Sequence, residues 1–200
     1  HRVDRRQRQM CIRDSHWGYI TLCQDYFISS TIPIQTITLL EGYYDDFTFD
    51  FGWTVSGGIF SPNDGIWQRG NPEGTSDNGV DYNPEDDVSG DCFENAFVTG
   101  LSAGPQTGSR DVDDANTILT SPILDLSIPK TYVLNYNIWF SNGFSWGAPA
   151  NDSIVVSVSN GATSVVLDII TASSNNLSQW ANKSFDLGQY ISSVSYTHLR

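Results

Sequence analysis

Histidine and basic residues are scarce in this 200-residue chain, and each scarcity excludes a class of function. The three histidines are His1, His16 and His198, so residues 17–194 hold none to serve as a catalytic base or a zinc ligand. The formal net charge of −13 argues against nucleic acid and anionic membranes as partners, because both favour clustered lysine and arginine. No stretch approaches the ~18 apolar residues of a membrane span, so membrane insertion is not expected.

Cysteine is also rare, with Cys11, Cys23 and Cys92 as the three examples. Their odd number and wide spacing predict neither a zinc site nor a disulfide framework. A single Cys23–Cys92 bridge stays open at this point.

The charge is unevenly placed along the chain. Between Ser15 and Val194 there are four basic residues against 21 acidic ones, whereas the other six basic residues lie at the extreme ends. The chain is therefore an acidic body between basic tips, and cations are its natural counterpart.

Both ends differ from the body in composition. The runs RRQRQMCIRDS (5–15) and VSYTHLR (194–200) resemble translations of sequencing adapters that recur in metagenomic assemblies. We therefore expect residues 1–15 and 194–200 to be unstructured and to belong to no fold. Residues 16–41, rich in isoleucine, threonine and aromatic side chains, are predicted to end a preceding module or to form an edge strand.

The body, residues 42–193, is predicted to form one all-β domain. Short apolar segments alternate there with clusters of glycine, asparagine, aspartate, proline and serine, and no amphipathic helix pattern occurs. Residues 61–91 and 100–116 are predicted to be long loops, which usually carry function. The predicted strands are 47–56, 92–99, 117–120, 131–141, 153–159, 163–171 and 179–187.

Several segments of the body carry a family resemblance in order and with sensible spacing. They are FGWTVSGG (51–58), DGIWQRGNPEGT (64–75), DVDDANTILTSPILDL (111–126) and VSVSNGAT (157–163). Together they resemble the jelly-roll accessory domain of secreted bacterial proteins, which is similar to MAM and concanavalin A-like sandwiches. That domain often follows a peptidase domain, such as a zinc carboxypeptidase.

The resemblance implies an antiparallel jelly-roll β-sandwich, truncated at the C-terminal end, where adapter-like sequence replaces one or two strands. It also implies an extracellular or cell-surface location and a neighbouring catalytic domain in the parent chain. The expected partners are an extracellular polysaccharide or a protein surface.

Clustered aspartates indicate a calcium site, because calcium takes six to eight oxygen ligands that irregular loops can supply. The resemblance implies calcium near the DVDD segment with an acid from the first strand as partner. The predicted ligands are Asp46, Asp111, Asp113 and Asp114. A second acidic run, residues 85–87, is either part of a metal site or solvated surface charge.

Two enzyme patterns would indicate catalysis, and the sequence supports neither. Residues 100–104 (GLSAG) match the G-x-S-x-G nucleophile pattern, but the body has no histidine base and no helix pattern follows the serine. A glucanase-like sandwich needs two facing carboxylates, and no alternating acidic row of that kind occurs on a predicted strand. We therefore expect a non-catalytic, calcium-stabilised accessory module.

A carbohydrate-binding module is the alternative function, because sugars stack on exposed tryptophan rings. Trp67 and Trp146 lie beside predicted loops and are the candidate ligand-binding residues. Trp53, Trp139 and Trp180 lie within predicted strands, where tryptophan more often belongs to the core.

Overall fold

The computed structural model contains β-strands and one short 3-10 helix as its regular elements within the described residues. All strand pairs in that part of the chain are antiparallel, which confirms the predicted all-β class. No helix of the described residues is long and apolar enough to cross a membrane. The structure describes residues 8–28, 36–57, 65–90, 92–101, 112, 116–142, 150–174, 178–191 and 198–199, with the backbone alone for 8–14, 24–28 and 198.

The chain divides into two units, His1–Asp45 and Asp46–Arg200. In the first unit, β1 (Arg8–Asp14) pairs over its full length with β2 (Leu22–Ile28). Residues 8–14 were expected to lie outside any fold, and they form a strand here because β2 satisfies their backbone groups.

In the first unit, the segment after β1 also pairs with the segment near residue 41. Tyr19 and Glu41 form an isolated antiparallel bridge, and Gly42 N donates to Gly18 O at 3.0 Å. The rings of Trp17 and Tyr43 lie 5.1 Å apart beside it.

The second unit holds eleven strands within its described residues. Their pairs are β3 with β8, β4 with β7, β5 with β6 and β9 with β12, while β10 lies between β11 and β13. The bounds are β3 Thr54–Gly57, β4 Gln68–Gly70, β5 Thr75–Asp77, β6 Val80–Asn83, β7 Ala96–Val98, β8 Thr117–Thr120, β9 Val133–Ile138, β10 Ser153–Ser159, β11 Ser164–Thr171, β12 Ala181–Asp186 and β13 His198–Leu199, with a 3-10 helix over Leu187–Gln189.

The buried apolar residues of the second unit lie on β7, β10 and β11, in the segment after β8 and in the 3-10 helix. Residues of β9 alternate between exposed and half-buried, as the period-two pattern of 131–141 predicts. Val158 of β10 is completely buried. The other buried apolar residues are Ala96, Leu124, Leu126, Leu167, Ile170 and Leu187.

Two predictions about local structure were only partly right. The strand predicted over 47–56 is confined to Thr54–Gly57, because the chain bends at residues 47–49. The long loop predicted over 61–91 contains β4, β5 and β6. Asn78 and Gly79, with φ of 50° and 81°, form the tight turn between β5 and β6.

The short strand β13 completes one side of β10. Leu199 pairs with Val158, and Leu199 O accepts a hydrogen bond from Ser121 N at 3.0 Å. The Ser121 hydroxyl, which is buried, accepts from Leu199 N at 2.9 Å. Residues 198–199 were expected to be unstructured, and these backbone bonds account for the strand found there.

Candidate functional site

Asp46, the first residue of the second unit, is a buried carboxylate. Its exposed fraction is 4%. Its Oδ1 accepts a hydrogen bond from Thr48 N at 3.1 Å, whereas its Oδ2 is buried and finds no hydrogen-bond partner among the described residues. A buried carboxylate oxygen without a donor is costly, so this atom calls for a cation or another ligand.

Thr48 carries a second such atom in the same turn. Its Oγ1 is buried and, within the described part of the chain, has no hydrogen-bond partner. The Thr48 amide donates to Asp46 Oδ1, so the Asp46 carboxylate is fixed next to the backbone of Thr48. The turn therefore contains two buried side-chain oxygens without a hydrogen-bond partner among the described residues.

Phe47, between these two residues, has a left-handed backbone with φ of 57°. This conformation is unfavourable for a large side chain, and such strain persists only where the surroundings enforce it. The Phe47 ring packs edge-on against Trp53 and Phe97, with centroid distances of 5.5 Å and 5.1 Å. The aromatic cluster therefore fixes the turn from one side.

Arg69 of β4 fixes the same turn through its main chain. Its Nη1 donates to Phe47 O at 3.0 Å and to Thr48 O at 2.9 Å. Asn95 Nδ2 adds a longer bond of 3.4 Å to Phe47 O. The geometry around Asp46 is thus held by residues distant in sequence.

The structure locates only part of the predicted site. Asp111, Asp113, Asp114 and Trp146 lie outside the described residues. Trp67, just before β4, is half-buried, and its backbone N donates to Thr117 Oγ1 of β8 at 3.2 Å. Thr48, Arg69 and Asn95 were not predicted, because no sequence pattern marks residues that meet only through the fold.

The acidic run at residues 85–87 bonds to backbone groups on both sides of the β5–β6 hairpin. Glu85 Oε2 accepts from Gly74 N at 3.0 Å, and Asp87 Oδ1 accepts from Val88 N at 2.6 Å. Trp180 Nε1 donates to Asp86 O at 3.2 Å. Both Glu85 and Asp87 therefore have a structural role as acceptors for backbone amides.

Two tryptophans hold this loop against the sheet of β9 and β12. Trp139 Nε1 donates to Tyr82 O at 2.9 Å, at the end of β6, and the Trp180 indole binds the loop at Asp86. The two rings meet edge-on, with centroids 5.9 Å apart. Both indoles therefore have structural partners along one stretch of backbone.

A polar cluster joins three long strands elsewhere in the second unit. Tyr136 of β9 lies opposite Lys183 of β12. Both side chains contact Asp168 of β11. The Tyr136 hydroxyl donates to Asp168 Oδ2 at 3.3 Å, and Lys183 Nζ lies 3.3 Å from the same oxygen. Burial, followed by the charge and hydrogen bond of Asp168, raises the pKa of Tyr136.

Cys23 in the first unit and Cys92 in the second are both disulfide-bonded. Neither sulfur is therefore a thiolate that could act as a nucleophile or a soft metal ligand. Disulfides persist mainly in oxidising compartments.

These features leave the turn at Asp46 as the chemically unusual site of the described residues. Its donors are hard oxygens, which suit calcium better than a soft metal. No family model, curated protein or solved structure matches the chain.

Proposed function

We propose that this chain is a calcium-stabilised, non-catalytic binding module of the jelly-roll type that works outside the cell. The observation that carries the proposal is Asp46, a carboxylate with 4% exposure and one oxygen without a hydrogen-bond partner among the described residues. A divalent cation satisfies such an oxygen and offsets the cost of burying its charge. Asp111, Asp113 and Asp114 are the proposed carboxylate partners from the DVDD segment.

A binding role is favoured over catalysis by the residues that the body offers. Residues 17–194 contain no histidine, so a serine nucleophile would lack the usual base and zinc would lack its usual ligand. Glu85 and Asp87 accept hydrogen bonds from the backbone amides of Gly74 and Val88, as a structural carboxylate does. Any catalytic activity would then belong to a neighbouring domain of the parent protein.

The extracellular location is supported by the disulfide bonding of Cys23 and Cys92, since the cytosol keeps such thiols reduced. Millimolar calcium is an ordinary concentration for the weak sites of extracellular modules. The proposed binding partner is an extracellular polysaccharide or protein surface, with the cation holding the loops in shape.

Thermal unfolding of the full chain with calcium chloride and with a chelator tests the proposal. An ion bound only by the folded state stabilises it by ~2.7 kcal/mol at a hundredfold excess over the dissociation constant. We expect calcium to raise the melting temperature of the wild type and to have little effect on Asp46→Asn.

Asp50→Asn is the matched control. Asp50 is an exposed acid four positions along the chain, and its Oδ1 accepts from Gly52 N, a bond that asparagine can keep. This variant should respond to calcium like the wild type. An equal response in wild type and Asp46→Asn would remove Asp46 from the site, and the absence of any response in the wild type would contradict calcium binding.

A further inference from the structure

The Thr48 hydroxyl shares its turn with the proposed calcium ligand Asp46. We propose that this hydroxyl is a second protein ligand of the same cation and that Arg69 positions both. The inference rests on the calcium-binding function proposed above and extends it to residues outside the aspartate set.

Two buried oxygens of this turn have no hydrogen-bond partner among the described residues. Asp46 Oδ2 and Thr48 Oγ1 are two of the three buried side-chain atoms that find no hydrogen-bond partner in the described residues. They belong to residues two positions apart, linked by the bond from Thr48 N to Asp46 Oδ1. Buried polar atoms are nearly always satisfied, so two in one turn indicate a shared ligand.

The backbone groups beside the Thr48 hydroxyl already have other hydrogen-bond partners. A threonine in a turn commonly binds a nearby backbone group. Here the carbonyls of Phe47 and Thr48 both accept from Arg69 Nη1, and the amide of Thr48 is bound to Asp46. A cation can use the lone pairs of the carboxylate and the hydroxyl together.

Arg69 and the aromatic cluster give the pair its geometry. The guanidinium bonds of 3.0 Å and 2.9 Å hold two successive backbone carbonyls, those of Phe47 and Thr48. The Phe47 ring, packed on Trp53 and Phe97, keeps the left-handed backbone that connects the two ligands. Arg69 is therefore a positioning residue, and Thr48 is the ligand.

Thr48→Val and Thr48→Ser in the full chain test the proposal. Valine matches the shape of threonine without the hydroxyl, whereas serine keeps the hydroxyl. Calcium affinity is measured by calorimetry, and melting temperature is measured in calcium chloride and in chelator. We expect Thr48→Val to bind calcium about tenfold more weakly, as for one lost bond to a charged species, and Thr48→Ser to stay close to the wild type.

The sign of the effect in chelator separates a ligand from a structural hydroxyl. Without the ion the hydroxyl is buried and unsatisfied, so Thr48→Val should melt at or above the wild-type temperature in chelator and below it in calcium. A ligand role predicts this reversal, whereas a hydroxyl bonded to water predicts a loss of stability in both conditions.

The outcomes also distinguish this inference from the proposed function. Unchanged calcium affinity in Thr48→Val, together with a loss in Asp46→Asn, would overturn the role of Thr48 and leave the calcium function standing. Equal destabilisation of Thr48→Val in both conditions would also overturn it. No calcium binding by the wild type would overturn the proposed function, and this inference with it.

Discussion

At the scale of single residues, Tyr136 shows how a polar group is accommodated where strands of different sheets meet. Its hydroxyl donates to Asp168, which also pairs with Lys183, so one carboxylate serves β9, β11 and β12. The Tyr136 ring stacks on Phe185 with an interplanar angle of 12° and a centroid distance of 6.0 Å. The protonated phenol is the form that both burial and Asp168 favour.

This environment predicts an alkaline weakness. Because its folded-state pKa is raised, Tyr136 contributes stability that is fully present below the unfolded pKa of about 10 and is lost as pH rises through the folded pKa. In Tyr136→Phe, the free energy of unfolding should therefore fall less steeply than in the wild type above about pH 10. Urea unfolding at pH 8 and near pH 11 measures the difference between the two proteins. A difference that is equal at both pH values would contradict the prediction.

Asp46 was predicted through the family resemblance, and its surroundings could not be predicted from the sequence. The resemblance implied an acid near the first strand, and whether Asp46 binds a metal is still a prediction. Thr48 and Arg69 could not be chosen from sequence, because their importance comes from bonds between residues 21 and 22 positions apart. The left-handed backbone of Phe47 is likewise enforced by Trp53 and Phe97, not by its own preference.

At the scale of elements, the hairpin of β10 and β11 shows the clearest separation of faces. Ile169 and Ile170 are neighbours on β11, yet the first is 56% exposed and the second 4%. Ile170 lies opposite Ile154, and Ile169 lies opposite the exposed Val155. One residue type in consecutive positions therefore occupies two different environments.

These neighbours form a matched pair for measuring the core. Ile170→Ala should lower the free energy of unfolding by ~2 to 5 kcal/mol, because it leaves a cavity in a packed interior. Ile169→Ala should cost less than ~1 kcal/mol, the range of a change in strand preference on an exposed face. Chemical denaturation of both variants gives the comparison. Similar losses in the two would mean that the outer face of the hairpin is also covered.

Element prediction from sequence succeeded where the pattern was long and regular. The bounds of β10 were predicted as 153–159, and the strict alternation of β9 was visible because its side chains alternate between two faces. The three-residue strands β4 and β5 are too short for such a pattern. The Asn78-Gly79 pair is typical of a two-residue hairpin turn, and it could have indicated the hairpin of β5 and β6 within the predicted loop.

At the scale of the whole molecule, the net charge of −13 opposes folding through self-repulsion. Most of the basic residues lie outside the acidic body, so the acids of the body have few local partners. Screening by salt and specific binding of a cation are two different ways of reducing this repulsion. They can be separated by the identity of the salt.

Sodium chloride and calcium chloride at equal ionic strength should therefore stabilise to different extents. We expect sodium chloride to raise the melting temperature modestly in every variant, because the Debye length shortens for all charges alike. Calcium chloride should add a further rise in the wild type that Asp46→Asn lacks. Differential scanning calorimetry measures both, and identical curves in the two salts would reduce the calcium effect to screening.

The contact between Trp53 and Phe47 has an optical consequence. The indole of Trp53 lies 5.5 Å from the ring of the residue that joins Asp46 to Thr48, so an ion bound at this turn changes the surroundings of a fluorophore that the chain already contains. Calcium titration should then shift the intrinsic emission of the wild type, and Trp53→Phe should remove the shift while the other tryptophans continue to emit. The protein thus carries an unlabelled reporter next to its proposed ligand.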